Sequence, residues 1–93
     1  MDLQLTGKRA LVTGASKGIG RATARALARE GCDVHLAARD GAALRLLAAE
    51  LGAETGRRIT WTALDIAESA ALERLCAEAG TLDILVNNAG AIP

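Results

Sequence analysis

Three glycines between a predicted strand and a predicted helix constrain the fold of this chain more than any other feature. Gly14, Gly18 and Gly20 follow the apolar segment Arg9–Thr13, which is typical of a buried strand. The segment Ile19–Glu30 comes next and is rich in alanine, which favours a helix. A strand, a tight glycine turn and a helix together form the first half of a β-α-β unit.

Three further segments have the composition of strands. Short runs of apolar or branched residues occupy Val34–Ala38, Ile59–Leu64 and Leu82–Val86, and helical segments separate them. This alternation indicates an α/β fold with a parallel sheet and right-handed crossovers. We expect a partial, Rossmann-like doubly wound sheet of β-α-β-α-β-α-β order, with strand order 3-2-1-4.

Apolar periodicity and glycines mark the helical segments. In the first helix, arginines recur every fourth residue and indicate a solvated face, and Gly31 follows as a capping glycine. In the second, leucines share one face, and the helix is predicted to stop at Gly52. The third is predicted to end at Gly80. The arginines are Arg21, Arg25 and Arg29, and the leucines are Leu44, Leu47 and Leu51.

Composition narrows the class of protein. The chain has 93 residues, which allows one small domain, and its formal net charge of +0 differs from the basic excess of nucleic-acid binders. No segment approaches the roughly 18 apolar residues of a membrane span, and the N-terminus does not resemble a signal peptide. Cys32 and Cys76 fit no metal or redox spacing, and we expect buried free thiols. These features predict a cytoplasmic protein without nucleic-acid or membrane partners.

The glycine turn is suited to bind a pyrophosphate. Free N–H groups and the helix dipole favour negative charge at a helix N-terminus. Gly14 is predicted to permit the sharp turn, Gly18 the close approach of backbone to phosphate, and Gly20 the close packing of helix on strand. The alternative is a tight strand–helix turn that binds nothing.

Two motifs resemble those of a known family. Thr13–Gly20 reads T-G-x-x-x-G-I-G, and Asn87–Gly90 reads N-N-A-G after the fourth predicted strand. In sequence and spacing the pair is similar to the short-chain dehydrogenase/reductase family, over essentially the whole chain. The resemblance implies hydride transfer between a nicotinamide cofactor and the carbonyl or alcohol group of a small substrate. It also implies a homo-oligomer, either a dimer or a tetramer.

The residues after the second strand bear on the choice of cofactor. In NAD-binding folds an acidic residue there accepts hydrogen bonds from the adenosine ribose and repels a 2′-phosphate. By resemblance that position is Ala38, which carries no charge, while Arg39 and Lys17 offer positive charge to a phosphate. We therefore expect NADP(H). The alternative is NAD(H), with Asp40 serving the ribose after a shift of one residue and Arg39 solvated in the turn.

The resemblance also assigns contacts with the rest of the cofactor. Asp65 and the backbone of Ile66 are predicted at the adenine, although Asp65 can instead begin the turn into the third helix. Asn87 is interpreted as structural, as is Thr13, whose hydroxyl is expected to bond the segment after the fourth strand. The predicted cofactor-binding residues are Gly14, Ser16, Lys17, Gly18, Ile19, Gly20, Arg39, Asp65, Ile66, Asn88, Ala89 and Gly90.

The resemblance implies catalysis by residues that the chain lacks. The family uses a Tyr-x-x-x-Lys pair and a serine, but this chain has no tyrosine, and its only lysines are Lys8 and Lys17. His35 is interpreted as a sheet histidine rather than a catalytic one. We expect residues 1–93 to be the N-terminal, cofactor-binding part of a Rossmann domain, inactive alone, with no catalytic residue.

An apolar outer strand and a thinly covered sheet face also favour an incomplete fold, with more chain or a partner beyond Pro93. One alternative is a stand-alone dinucleotide-binding or regulatory module without catalysis. A weaker alternative is a domain that only mediates association.

Overall fold

The chain folds into a parallel four-stranded sheet with helices on both faces. The computed structural model describes residues 5–65 and 70–88. The strand order is β3-β2-β1-β4 and all pairs are parallel, which confirms the predicted Rossmann-like topology. The elements are β1 (Arg9–Thr13), α1 (Gly18–Arg29), β2 (Asp33–Ala38), α2 (Gly41–Thr55), β3 (Ile59–Ala63), α3 (Ala71–Ala79) and β4 (Ile84–Val86).

Each face of the sheet has its own core because successive side chains of a strand point to opposite faces. On the first face, Val12 and Leu36 pack among the inner residues of α1 and α2. On the second face, Leu11 and Ala37 pack with Leu75 of α3. The first core is the larger, and it holds α1 and α2 rigidly against the strands whose ends they connect.

The predicted stop of the second helix at Gly52 is wrong. The helix continues to Thr55, and Gly56 caps it in the left-handed conformation, with φ of 70°. A glycine inside a helix costs only about 1 kcal/mol, which burial of Leu51 more than offsets. At the other end, the Asp40 carboxylate accepts a hydrogen bond from the backbone N–H of Ala43 at 3.0 Å and caps the helix.

The arginine face of α1 is not simply solvated, as its periodicity suggests, but pairs with α2. Arg29 donates to Glu54 at 2.8 Å, and this hydrogen bond lowers the pKa of Glu54. Arg25 contacts both Glu50 and Glu54, and Arg21 lies 3.7 Å from Glu50. These five residues form what we call the ion-pair ladder. It joins the exposed edges of the two helices.

Burial differs between Arg57 and the two thiols. Arg57, in the loop before β3, is partly buried and lies 3.3 Å from Asp33. Cys32 is buried as expected, and burial raises the pKa of its thiol, but Cys76 is exposed. The reason is that α3 packs through positions four residues apart, including Leu75, so the next residue points away from the sheet.

His35 connects β2, β3 and α3 through hydrogen bonds on the second face. It is 5% exposed. Its Nδ1 lies 2.6 Å from the Thr60 hydroxyl, and its Nε2 lies 2.8 Å from the Thr62 hydroxyl. Thr62 donates its proton to Glu78 at 2.7 Å, so its oxygen accepts from Nε2–H and leaves Nδ1 to accept from Thr60. The neutral imidazole therefore satisfies all its partners, as a structural histidine would.

Two further observations concern the helices and the outer strand. None of the helices in the described part of the chain is long and apolar enough to cross a membrane. β4 is an outer strand of the described sheet, and Leu85 on it is 54% exposed.

We expect acid to destabilise this fold through His35. Burial, and secondarily the charge of Arg9, lower the pKa of His35 from its ordinary 6.5, while Glu78 acts in the opposite direction. The unfolded chain therefore binds a proton more readily. The stabilisation is complete above about pH 6.5 and is lost as the pH falls below it. Urea unfolding between about pH 7.5 and about pH 5.5 measures this loss.

The variant His35→Gln is the control, because it removes the titrating ring and should flatten the dependence in this range. An equal slope in both proteins would contradict the assignment to His35.

Candidate functional site

The predicted site residues gather where the four strands end. Gly14 follows β1, Arg39 follows β2, Asp65 follows β3 by two residues, and Asn88 follows β4 by two. Because the strands are parallel, all four positions lie at one edge of the sheet, where the strand order reverses between β1 and β4. The predicted residues Ile66, Ala89 and Gly90 lie outside the described part of the chain.

The loop from β1 to α1 is held open by two glycines in the left-handed region. Gly14 has φ of 63° and Gly18 has φ of 60°. Between them, Ala15 is buried and its N–H donates to the carbonyl of Ala37 at 3.2 Å, which ties the loop to β2. A Cβ on Gly18 would meet no atom within 4 Å, so the space beside the loop is open.

The N-terminus of α1 faces this open space with its dipole uncompensated. Lys17 is the N-cap residue, and its side chain makes no capping hydrogen bond. The first turn of α1 carries no acidic residue. The first N–H groups of a helix have no acceptor within it, so they are available to an anion. Ser16 and Ile19 flank the same turn, and Ile19 is 76% exposed.

Gly20 allows α1 to begin directly against the loop. A Cβ at this position would lie 2.0 Å from the carbonyl oxygen of Gly14 and 3.1 Å from the side-chain nitrogen of Asn88. No side chain fits there, because non-bonded carbon and oxygen atoms do not approach so closely. Gly20 therefore brings together the loop, the helix and the segment after β4.

Thr13 joins the same segment from the β1 side, as predicted. Its hydroxyl lies 2.9 Å from the side-chain oxygen of Asn87, and it accepts a hydrogen bond from the backbone N–H of Asn88 at 2.9 Å. Thr13 is 1% exposed. These contacts confirm the expected bond between the Thr13 hydroxyl and the segment after β4, and they hold Asn88 beside the glycine loop.

The charged residues at this edge of the sheet differ in whether another group engages them. Lys17 and Arg39 are exposed, and within residues 5–65 and 70–88 no acidic side chain forms an ion pair with either. Asp40, in contrast, uses its carboxylate to cap α2. Asp65 is partly buried at the end of β3. The described edge thus presents unpaired positive charge beside the N-terminus of α1.

Sequence reasoning missed one feature of this region. A groove of about 470 Å³ runs between α1 and α2, and its lining includes Ser16, Arg21 and Glu50. Arg21 follows Lys17 by one helical turn, and this spacing could have indicated from the sequence that Arg21 lies near the glycine loop. Glu50 lies far along the chain, so only helix packing reveals that it faces Arg21.

Comparison with known proteins gives consistent matches. A family model described as short chain dehydrogenase matches residues 8–93. A probable oxidoreductase of Streptomyces antibioticus is 46% identical over 90 residues, covering 95% of this chain and 30% of that protein. The sorbitol dehydrogenase of Cereibacter sphaeroides is 44% identical over 91 residues, covering 94% of this chain and 34% of that protein. The chain thus spans about a third of the length of these relatives.

Solved structures agree with these matches. The L-sorbose reductase of Gluconobacter frateurii, complexed with NADPH and L-sorbose, has a TM-score of 0.86 and 40% identity, with 98% of this chain and 36% of that chain covered. The alcohol dehydrogenase of Thermococcus sibiricus, complexed with 5-hydroxy-NADP, has a TM-score of 0.78 and 38% identity, with 84% of this chain and 35% of that chain covered.

We expect Gly20→Ala to destabilise the protein by about 2 kcal/mol or more, because its methyl group overlaps the Gly14 carbonyl. The matched control is Gly56→Ala. Gly56 has φ of 70° and no atom within 4 Å of a Cβ, so its replacement costs only backbone strain, about 1 kcal/mol. Urea unfolding compares the two variants. Equal losses would mean that the contact between Gly20 and Gly14 relaxes at no cost.

Proposed function

Because this chain belongs to the short chain dehydrogenase family, we propose that it is the NADP(H)-binding N-terminal part of an oxidoreductase. The single observation that carries the proposal is the open glycine loop at the N-terminus of α1. When bound, the nicotinamide supplies or accepts the hydride that is exchanged with a carbonyl or alcohol substrate. The residues of this chain bind and orient the cofactor.

The loop fits the pyrophosphate of a dinucleotide. Space beside Gly18 is open. The first N–H groups of α1 have no acceptor within the helix, and the helix dipole favours an anion beside them. Ser16 and the backbone of Ile19 belong to the same turn and would add hydrogen-bond donors. Gly14 and Gly20 act indirectly, because they shape the loop and set α1 against it.

Positive charge at Lys17 and Arg39 supports NADP(H) over NAD(H). A 2′-phosphate on the adenosine ribose carries about two negative charges, and an arginine beside it forms charge-assisted hydrogen bonds. The alternative use of Asp40 for the ribose competes with its capping of α2. The NADPH complex of the similar L-sorbose reductase also supports this choice.

The remaining contacts follow from the positions at the sheet edge. Asp65 at the end of β3 would accept a hydrogen bond from the adenine amino group, with the backbone of Ile66 beside it. Asn88, held by the Thr13 hydroxyl, would reach the ribose on the nicotinamide side together with Ala89 and Gly90. These proposed contacts depend on the positions of the glycine loop, β1 and β4.

The proton-transferring residues of the reaction are proposed to lie outside these 93 residues, since the chain contains no tyrosine. The half-exposed Leu85 on outer strand β4 supports this, because an apolar strand edge is usually covered in the whole protein. We propose that the intact protein is a cytoplasmic homo-oligomer. We expect residues 1–93 alone to show no NADPH turnover with carbonyl substrates, and measurable turnover would contradict this assignment.

We expect the intact protein to bind NADPH more tightly than NADH and Arg39→Asp to close that gap. The new carboxylate repels the 2′-phosphate and can accept hydrogen bonds from a free ribose, so we expect NADPH affinity to fall by about tenfold or more. Fluorescence titration with each cofactor measures both affinities.

Arg45→Asp is the matched control for Arg39→Asp, because Arg45 is an exposed arginine on α2 and its replacement changes the net charge equally. It should leave the ratio of the two affinities unchanged. Equal affinities of the unmodified protein for NADPH and NADH would remove the argument from charge.

A further inference from the structure

The groove between α1 and α2 adjoins the glycine loop. Of the residues proposed above to bind the phosphates, only Ser16 lines it. Arg21 and Glu50 also line it. Arg21 lies in the first turn of α1, four residues after the exposed Lys17 cap. The groove therefore brings one further cation and one anion to the border of the proposed 2′-phosphate position.

Arg21 is the least neutralised arginine of the ion-pair ladder. It lies 3.7 Å from Glu50, and the two side chains are 48% and 50% exposed. Glu50 has a closer partner, because Arg25 donates a hydrogen bond to it. An exposed pair at 3.7 Å contributes little to stability. Arg21 can therefore leave Glu50 at small cost.

The ladder as a whole carries a surplus positive charge. Three guanidinium groups face two carboxylates. Arg29 and Glu54 form a close pair at 2.8 Å at the far end. The surplus therefore falls at the Arg21 end, which is the end nearest the glycine loop along α1.

We propose that Arg21 is a further determinant of cofactor specificity, which supplies positive charge to the adenosine 2′-phosphate from the wall of the groove. Glu50 opposes it, because its carboxylate competes for the guanidinium and repels the phosphate. The inference rests on the proposed function. The proposed role does not require direct contact, because charges separated by less than the Debye length of about 8 Å interact at physiological salt.

The test compares two ligands that differ only in the 2′-phosphate, adenosine 2′,5′-bisphosphate and adenosine 5′-monophosphate. Calorimetric titration of the intact protein measures both affinities without catalysis. We expect Arg21→Gln to weaken binding of the bisphosphate by roughly threefold to tenfold and to leave binding of the monophosphate unchanged. Glu50→Gln should tighten binding of the bisphosphate alone, and added salt should shrink both effects.

Arg29→Gln is the matched control, since it removes the same charge from the same ladder at the far end and should change neither affinity. Arg21→Lys keeps the charge and should keep most of the selectivity. If Arg21 had a purely structural role, Arg21→Gln would change the affinities for both ligands equally or change neither.

The outcomes distinguish the proposed role of Arg21 from the proposed preference for NADP(H). If the unmodified protein prefers the bisphosphate and Arg21→Gln behaves like Arg29→Gln, the role of Arg21 is overturned and the proposed function stands. If the unmodified protein binds the two ligands equally, the preference for NADP(H) and the role of Arg21 both fail.

Discussion

The contact between Gly20 and the carbonyl of Gly14 is the constraint on which the rest of the site depends. A Cβ at Gly20 would lie 2.0 Å from that oxygen, so α1 can begin where it does only because the side chain is absent. The position of α1 then sets where its N-terminal N–H groups point. It also places the Asn88 side chain, which lies against the same glycine. The absence of a side chain at Gly20 thus sets the positions of the glycine loop, the start of α1 and Asn88 around the proposed cofactor site.

Local features of the sequence were enough to predict the sheet and the loop. Glycine and apolar runs act over a few residues, so Arg9–Thr13 and the turn after it could be placed without tertiary information. The end of α2 was misplaced because Gly52 weakens a helix by less than the packing of Leu51 stabilises it. The exposure of Cys76 was missed because a short apolar stripe does not tell which of two adjacent residues faces the sheet.

Contacts between the two helices α1 and α2 were beyond sequence reasoning, whereas the bond from Thr13 to the segment after β4 was expected. Arg25 and Glu50 are separated by 25 positions, and they meet only because α1 and α2 pack side by side on one face of the sheet. The regular spacing of the arginines identified the face but not its partner. For Asp40 the sequence suggested an alternative ribose contact, and the structure has its carboxylate capping α2. For the arginines the missing information was the relative position of α1 and α2.

The electrostatics of the sheet edge arise from separation of charge rather than from excess charge. The chain has a formal net charge of +0, yet Lys17, Arg21 and Arg39 all lie around the N-terminus of α1 or the end of β2. Nearby acids have other partners: Asp40 caps α2, Glu54 pairs with Arg29, and Glu50 has Arg25 as its closer partner. The three cations remain largely hydrated, so they carry no large desolvation penalty before a ligand binds. In the proposed function a phosphate is therefore bound by a chain of zero formal net charge, at a site whose position the glycine loop determines.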